Sequence, residues 1–238
     1  MSVYEYMWDS YWADLPQQPN QAIWDIDPVW ASHAHLLLFA QYFDKNLPVV
    51  DFGCGNGTQT KFLGEHFRHV IGIDVSEQAL NQAHEINSGL NIEYRKVDLL
   101  DPSDAAALHD TVGDANVYDR TVIHQFQAKD WPAAMASLAN ITGQRGHAFL
   151  FEIGPTGHAY LEEVVNRLGG PPSKLAQVFK HGITPAELKE GDLECQLREA
   201  GFEIVTSGPI DYRTTQLLAD GTALVIPAQY VVARPATP

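Results

Sequence analysis

The fold of this chain is decided by a short apolar run that leads into three closely spaced glycines, Val49-Val50-Asp51-Phe52-Gly53-Cys54-Gly55-Asn56-Gly57-Thr58. Buried parallel strands are short and rich in Val, Ile and Leu, so residues 47–52 are predicted to form a strand. The glycines remove the side chains that would keep the backbone away from a ligand, and Thr58 is predicted to open a helix that ends near His66. The sequence therefore predicts a strand, a bare loop and a helix N-terminus.

The spacing of the glycines separates two classes of nucleotide-like cofactor. A dinucleotide fingerprint has its third glycine three positions after the second, whereas Gly57 follows Gly55 more closely. The letters D-F-G-C-G-N-G resemble the first motif of the class I S-adenosylmethionine-dependent methyltransferases, in which this loop packs against the methionine part of the cofactor. An ordinary strand-to-helix turn is the alternative. The resemblance implies cofactor contacts from Asp51, Gly53, Cys54, Gly55, Asn56 and Gly57.

Length and composition restrict the class of protein and of partner. The chain has 238 residues, of which 45% are hydrophobic and 19% charged, so we expect one α/β domain with additions. Its formal net charge is −15, and no run of basic residues is apparent. Because a negative field repels phosphate backbones and anionic lipids, we expect neither a nucleic-acid nor a membrane partner. No sequence pattern indicates an oligomeric state.

The two cysteines and the N-terminus indicate the compartment. Cys54 and Cys195 do not form a disulfide framework and do not belong to a metal-binding cluster, so we expect reduced thiols and no metal. The N-terminus has acidic and aromatic residues without the basic start of a signal peptide, and no apolar run is long enough to span a membrane. We expect a cytoplasmic protein.

Two further predicted strands end in acidic residues. Residues 69–74 end in Asp74, about twenty residues after the glycine loop, where a doubly wound sheet presents a carboxylate to a ribose, and Val75 follows. Residues 92–100 contain Asp98 and Leu99, which match the acid and apolar residue that the methyltransferase resemblance assigns to the adenine. For Asp98 a turn or helix cap is the alternative. Because ligands gather at the carboxyl ends of parallel strands, the acids are expected to share one site.

The fourth unit, residues 115–126, resembles the motif beside the transferable methyl group in this family. Its Tyr-Asp-Arg portion is similar to small-molecule members such as thiopurine methyltransferases. Asp119 and Arg120 are candidate catalytic residues, with Asp119 also facing the methionyl ammonium, or they brace the loop internally. His124 is the candidate general base, since an imidazole titrates near neutrality, and simple packing is its alternative role.

The second half of the chain is expected to supply the acceptor site and to complete the sheet. A fifth strand ends in Glu152, and the Glu-Ile pair there departs from the Asp-Asn of metal-dependent relatives, which argues against catalytic magnesium. Two helical pieces over 160–168 and 173–179 are followed by a predicted helix over 185–200. Residues 202–210 and 229–233 are expected to form an antiparallel pair joined by residues 211–227.

Aromatic residues crowd the first 30 positions, which is too apolar a composition for a disordered tail. The rings either close one edge of the core or cover a pocket for an apolar acceptor. The inserted segment after the fifth strand also offers candidates, with His158, Tyr160, Phe179 and His181 as pocket residues. The predicted substrate-binding residues are Tyr11, Trp12, Trp24, Glu152, His158 and Tyr160.

Together these patterns predict a Rossmann-like, seven-stranded α/β class I methyltransferase fold, with a mostly parallel sheet, an antiparallel last strand and helices on both faces. The expected segments are an aromatic arm over 1–45, a cofactor-binding core over 46–153, an inserted cap over 154–190 and a C-terminal helix and hairpin over 191–238. The expected function is S-adenosyl-L-methionine-dependent methylation of a small, partly apolar metabolite on oxygen or nitrogen. The alternatives are a cofactor-binding sensor or cyclase-like enzyme without methyl transfer, and a nicotinamide-dependent oxidoreductase.

Overall fold

The computed structural model describes residues 2–236, which form one seven-stranded sheet and nine α-helices. The first residue of the predicted arm and the last two of the predicted C-terminal segment lie outside the described residues. The strands are β1 Val49–Phe52, β2 Val70–Asp74, β3 Ile92–Lys96, β4 Asn116–Arg120, β5 Ala148–Glu152, β6 Phe202–Leu217 and β7 Ala223–Pro235. The helices are α1 Val3–Asp14, α2 Ser32–Phe39, α3 Thr58–His66, α4 Glu77–Ile86, α5 Pro102–Val112, α6 Trp131–Thr142, α7 Pro155–Leu168, α8 Ser173–Lys180 and α9 Asp192–Glu199.

The sheet has the order β3-β2-β1-β4-β5-β7-β6. Strands β1 to β5 are parallel, β7 is antiparallel to β5, and β6 is antiparallel to β7. The predicted mostly parallel sheet with an antiparallel last strand is therefore confirmed. The order of the strands changes direction at β1: β2 and β3 lie on one side of it, and β4 and β5 lie on the other. Open α/β sheets bind ligands at this position.

Helices cover both faces of the sheet, as the sequence predicts. Alternate strand residues point to opposite faces, so Val50 packs with the buried side chains of α5, α6 and α9, whereas Val49 packs with those of α2, α3 and α7. The helix after the glycine loop spans Thr58–His66, as expected. Ser76 caps α4 by accepting a hydrogen bond from the backbone N–H of Ala79 at 3.1 Å.

Two predicted helix starts after β5 are wrong. Helix α7 begins at Pro155, because a proline is accommodated in the first turn of a helix. The helix predicted over 185–200 is confined to Asp192–Glu199. The residues expected to form its first half are not helical, and among them the N–H of Ala186 donates to the carbonyl of His124 at 2.7 Å.

The terminal hairpin is much longer than predicted. Strand β6 continues to Leu217 and β7 begins at Ala223, and two register shifts interrupt their pairing. Pro209 lies in β6, the outermost strand, and Pro227 lies in the part of β7 that has no pairing with β5, so their missing N–H groups break no central ladder. The longer hairpin brings Tyr212 over the carboxyl ends of β4 and β5, where its ring lies 5.4 Å from that of Phe151.

The aromatic N-terminal segment folds into α1, which begins with a capping box between Ser2 and Glu5. One side of α1 is attached to α4 and β3, where Asp9 accepts from the Ser76 hydroxyl at 2.6 Å. Its C-terminal end is attached to α8, where Asp14 accepts from Lys180 Nζ at 2.6 Å. Helix α1 therefore bridges the first half of the sheet and the inserted helices. Among residues 2–236, no helix is both long and apolar enough to cross a membrane.

Candidate active site

The glycine loop is held against β2 by its own backbone. The N–H groups of Gly53 and Cys54 both donate to the carbonyl of Ile73 at 2.9 Å. All three loop glycines have positive φ angles, which are 73° at Gly53, 54° at Gly55 and 78° at Gly57. Residues with a side chain rarely adopt positive φ angles, so the turn itself favours glycine at these three positions.

Asp74 connects this loop to the next one. Its Oδ2 accepts from the N–H of Gly55 and its Oδ1 accepts from the N–H of Ser76, each at 2.9 Å. Burial raises the pKa of Asp74 to about 6, although these backbone donors oppose the shift. Asp51, on the neighbouring strand, accepts from the Thr60 hydroxyl at 2.6 Å, and burial raises the pKa of Asp51 to about 7.

A narrow cavity, which we name the loop cavity, lies between the glycine loop and α1. Its volume of about 70 Å³ is far below the roughly 300 to 1,000 Å³ of ordinary ligand pockets. It contains six of the predicted cofactor-binding residues, Gly53, Gly55, Asp74, Val75, Asp98 and Leu99. Aromatic rings cover it, namely Tyr4, Trp8, Trp12, Trp24 and Phe126, and Arg120, Thr121, Val122 and Gln125 complete its wall.

The ring of Trp12 fills the space that the bare loop leaves. A Cβ placed on Gly55 would lie 2.8 Å from Cζ2 of Trp12, so helix α1 packs directly on the glycine backbone. Trp12 was expected in the substrate site, and the structure instead has it in the loop cavity. The small volume of this cavity is therefore a consequence of the position of α1.

Several residues of the predicted cofactor set do not line the loop cavity. Asp51, Cys54 and Asn56 line a polar recess of about 30 Å³ behind the loop, together with Asp25 and Arg120. Gly57 faces the opposite way, because a Cβ on it would lie 2.3 Å from the Tyr94 hydroxyl oxygen. Gly57 is therefore required both by its positive φ and by packing against Tyr94, a residue outside the motif.

Asp119 was expected beside the cofactor, and its carboxylate lines neither the loop cavity nor the polar recess. Successive strand residues point to opposite faces, so Arg120 faces the site while Asp119 points into the fully buried interior. Burial, and then the charge of Glu152, raise the pKa of Asp119 well above its usual value. Burial and the neighbouring carboxylate therefore both favour the protonated form of Asp119.

Arg120 has hydrogen-bonding capacity that the described residues leave unused. Its Nη1 donates to the carbonyl of Trp24 at 2.9 Å, and its guanidinium carbon lies 5.3 Å from the centre of the Tyr212 ring. The residue is only 9% exposed, yet within residues 2–236 its Nε and Nη2 have no hydrogen-bond partner. Buried polar groups are normally paired, so Arg120 could hold the carboxylate of a ligand.

His124 and Glu152 form a buried pair next to the loop cavity. Oε1 of Glu152 accepts from the N–H groups of Val122 and Ile123 at 3.0 and 2.7 Å, and Oε2 accepts from Nδ1 of His124. Burial alone would raise the pKa of Glu152, but its interactions with His124 and further hydrogen bonds hold that pKa below its usual value. Glu152 was expected to contact substrate, and the structure has it fully buried behind His124.

A second and larger space, the helical cavity, opens beside the pair. Its volume is about 560 Å³, and its walls come from α7, α8, residues 184–187 and the terminal hairpin. It shares Trp24, Thr121 and Gln125 with the loop cavity. The predicted residues His124, Trp24, His158 and Phe179 line it.

Three other predicted pocket residues lie elsewhere. Tyr11 is buried in a ring cluster, 5.2 Å from the ring of Trp24, and Tyr160 lines neither cavity. His181 hydrogen-bonds Ser10 and Asp14 of α1 instead of facing the helical cavity. Tyr11 and His181 connect the aromatic segment to its surroundings, and Tyr160 packs against the buried cluster that contains Val164.

Some lining residues had no signal in the sequence. Thr121 follows β4 with a φ of 62°, an uncommon backbone conformation for a β-branched residue and one that concentrates at functional sites. Tyr212 was missed because the strand that carries it was predicted to end at Ile210. Asp25 hydrogen-bonds Asn56 and Thr58 of the loop at 2.9 and 2.6 Å from a segment without any motif.

The chemistry of this region fits the cofactor implied by the resemblance. A carboxylate at Asp74 could bind a ribose, Asp98 and Leu99 could bind an adenine, and the unused N–H groups of Arg120 could bind an amino-acid carboxylate. Within residues 2–236, no group of three or more His, Cys, Asp or Glu side chains is arranged to hold a metal ion.

Comparison with known proteins gives matches of the same kind. A family model described as a methyltransferase domain matches residues 49–146. The ubiquinone biosynthesis O-methyltransferase of Marinobacter nauticus is 26% identical over 212 residues, covering 82% of this chain and 78% of that protein. The enzyme of the same name from Paraburkholderia xenovorans is 25% identical over 219 residues, covering 86% and 85%.

A solved structure gives the strongest support. The SAM-dependent methyltransferase of Anabaena variabilis is 34% identical, with a TM-score of 0.90 over 98% of this chain and 93% of that chain. The parallel sheet, the glycine loop and these matches agree with one another. The chain therefore belongs to the class I S-adenosylmethionine-dependent methyltransferase family, and it is a methyltransferase that uses S-adenosyl-L-methionine as its cofactor.

Proposed function

We propose that this enzyme methylates an oxygen or nitrogen atom of a small, partly apolar acceptor that binds in the helical cavity. One observation carries the proposal. The two cavities meet at Trp24, Thr121 and Gln125, so a methyl group presented from the loop cavity would face a molecule in the helical cavity. Oxygen is the favoured acceptor atom, because the two full-length relatives are named O-methyltransferases.

The cofactor would lie along the carboxyl ends of β1, β2 and β3. Asp74 would accept hydrogen bonds from the ribose hydroxyls, and Asp98 with Leu99 would hold the adenine. Arg120 would bind the methionine carboxylate through Nε and Nη2, which have no hydrogen-bond partner within residues 2–236, while Asp25 across the polar recess would receive the ammonium group. Bound in this way, the sulfonium of the cofactor supplies an electrophilic methyl group.

The protein would contribute mainly alignment. Holding the acceptor atom in line with the methyl group can supply about 7 to 11 kcal/mol of the barrier at best. Aromatic rings from α1 would exclude water from the loop cavity. We propose four segments on this basis. Residues 1–45 would cap the cofactor core of 46–153, residues 154–190 would form the wall of the acceptor site, and residues 191–238 would complete the sheet.

His124 would act as the general base. An ionised carboxylate can only accept hydrogen bonds, so the Glu152 contact requires a proton on Nδ1 of His124 and leaves Nε2 as the acceptor. In the structure Nε2 lies 3.0 Å from the amide nitrogen of Gln125, which lines both cavities. An acceptor hydroxyl that displaces this amide would reach Nε2 and lose its proton there, which is worth about 10² to 10⁴ in rate.

The proposed compartment is the cytoplasm, since both thiols are free and Cys195 is exposed. The test of the function is incubation of the enzyme with S-adenosyl-L-methionine and a fractionated metabolite extract, followed by mass spectrometry. A fraction that yields S-adenosylhomocysteine and a product heavier by one CH₂ supports the proposal. Retention of the cofactor without either product in any fraction would favour a sensor or cyclase-like protein instead.

A further inference from the structure

Within residues 2–236, the helical cavity is lined by acidic side chains without a lysine or arginine to balance them. Its described lining includes two glutamates, Glu162 and Glu187, and two histidines, His124 and His158, but no lysine or arginine. The remainder of the wall is largely apolar, with side chains such as Leu161, Leu175 and Val178. A bound molecule would therefore meet negative charge without a compensating cation among these residues.

The two glutamates lie where the cavity opens to solvent, because both line it and both are exposed. Glu162 follows His158 by one turn of α7, so the two side chains share a face of that helix. Glu187 reaches the same space from the segment between α8 and α9. The acidic groups are thus at the mouth, and His124 is at the buried end.

His158 occupies the wall between these two ends. Its Nε2 is buried and has no hydrogen-bond partner within residues 2–236. Burial lowers the pKa of His158, a proton on the nearby His124 ring would lower it further, and the charge of Glu187 opposes both. Burial thus favours the neutral form of the His158 ring, which can hydrogen-bond a ligand but does not balance an anionic one.

We infer that the helical cavity selects an uncharged or cationic acceptor, whose nucleophilic atom lies at His124 and whose distal end carries an amine or no charge at the mouth. The inference rests on the proposed function only in taking the helical cavity as the acceptor site. A distal ammonium would be attracted by Glu162 and Glu187, whereas a distal carboxylate would be repelled by both. The chain's net charge of −15 acts in the same direction on approach.

The test uses three phenols that differ only in the distal group: tyramine with an ammonium, 4-ethylphenol without a charge, and 4-hydroxyphenylacetate with a carboxylate. Their affinities are measured by calorimetry on the full chain saturated with S-adenosylhomocysteine. Exposed charges contribute modestly, so tyramine is expected to bind about tenfold more tightly than 4-hydroxyphenylacetate, with 4-ethylphenol between them. Raising the salt concentration should reduce this ratio.

The double variant Glu162→Gln/Glu187→Gln should bring the ratio to about twofold or less. Its matched control is Glu163→Gln/Glu190→Gln, which removes the same charge from exposed positions outside the cavity and should preserve the ratio. Equal or tighter binding of 4-hydroxyphenylacetate, an unchanged ratio in the cavity variant, or no saturable binding of any phenol overturns the inference. Because no turnover is measured, these outcomes are distinct from a failure to detect methyl transfer.

Discussion

The ring of His124 donates a hydrogen bond from Nδ1 to the carboxylate of Glu152, and the two side chains are only 3% and 0% exposed. Glu152 also accepts from the N–H groups of the backbone that carries His124, so one carboxylate fixes both the ring and its loop. A proton taken up at Nε2 would be stabilised by that buried negative charge. Glu152 is therefore proposed to position His124 without touching the acceptor.

Replacing Glu152 by glutamine should lower kcat by about 10² and leave KM nearly unchanged, because the amide keeps the shape but removes the charge that stabilises the imidazolium. The measurement is steady-state kinetics with the acceptor identified by the extract experiment, over a range of pH. His124→Ala should lose at least as much, and Glu163→Gln on the surface of α7 serves as the control. Undiminished turnover in Glu152→Gln would contradict a positioning role.

Cofactor binding should weaken as the pH falls through about 6. The pKa of Asp74 is raised to about 6 by burial, so the carboxylate becomes protonated below that pH and loses capacity to accept from the ribose. Affinity should drop by up to about tenfold per pH unit below the pKa. Calorimetry with S-adenosyl-L-methionine from pH 5 to 8 measures this. Asp74→Asn should bind weakly and without this pH dependence, and an equal affinity of the wild type at pH 5 and 7 would refute the assignment.

The stability of the cofactor-free protein should depend on Asp51. Its pKa is raised by burial from 3.8 to about 7, so the folded state holds a proton that the unfolded state has released, and stability declines as the pH rises from about 4 to 7. Each pKa unit corresponds to about 1.4 kcal/mol, which makes the total at most a few kcal/mol.

Asp51→Asn keeps an acceptor for the Thr60 hydroxyl and removes the ionisation. The difference in unfolding free energy between this variant and the wild type, measured by urea denaturation, should grow in favour of the variant between pH 5 and 7 and level off above that. A difference that stays constant over this range would be inconsistent with a raised pKa at Asp51.

Arg120 should distinguish ligands with and without the amino-acid part of the cofactor. Arg120→Met keeps the apolar stem and removes the donors, so S-adenosylhomocysteine should bind about 10- to 100-fold more weakly, as expected for charge-assisted hydrogen bonds. Methylthioadenosine lacks the carboxylate and should bind the variant as it binds the wild type. An equal loss of affinity for both ligands would show that Arg120 affects binding only by supporting the structure of the loop.

Trp12 should control the entry of the cofactor. Its ring lies against the backbone of Gly55, and the loop cavity of about 70 Å³ is too small for the cofactor while this ring occupies it. Trp12→Ala should increase the association rate constant of S-adenosyl-L-methionine, as measured by stopped-flow fluorescence of the remaining tryptophans. Tyr6→Ala, at an exposed position of the same helix, is the control. Unchanged association in Trp12→Ala would remove α1 from the entry step.

The parallel sheet and its acids could be predicted because hydrophobic runs ending in Asp74 and Asp98 must converge at one edge. The sequence could not reveal that Gly57 packs on Tyr94, since that contact depends on how β3 lies beside the loop. Nor could the sequence reveal that the Glu152 side chain points towards His124, because that depends on the face of β5 that Glu152 occupies. Contacts made by Asp25 come from a segment without a motif, and only the folded chain brings it to the glycine loop.

Helix α1 is attached to Ser76 at one side and to Lys180 at its C-terminal end, and thereby borders both the cofactor core and the wall of the helical cavity. The family model for a methyltransferase domain matches this chain only from residue 49, after this helix. A substitution that disrupts either attachment, at Asp9 or Asp14, is therefore expected to disturb both cavities, whereas one at the exposed Tyr6 is not. In evolutionary terms, a change at one of these attachments would alter the binding of the methyl donor and the shape of the proposed acceptor cavity in a single step.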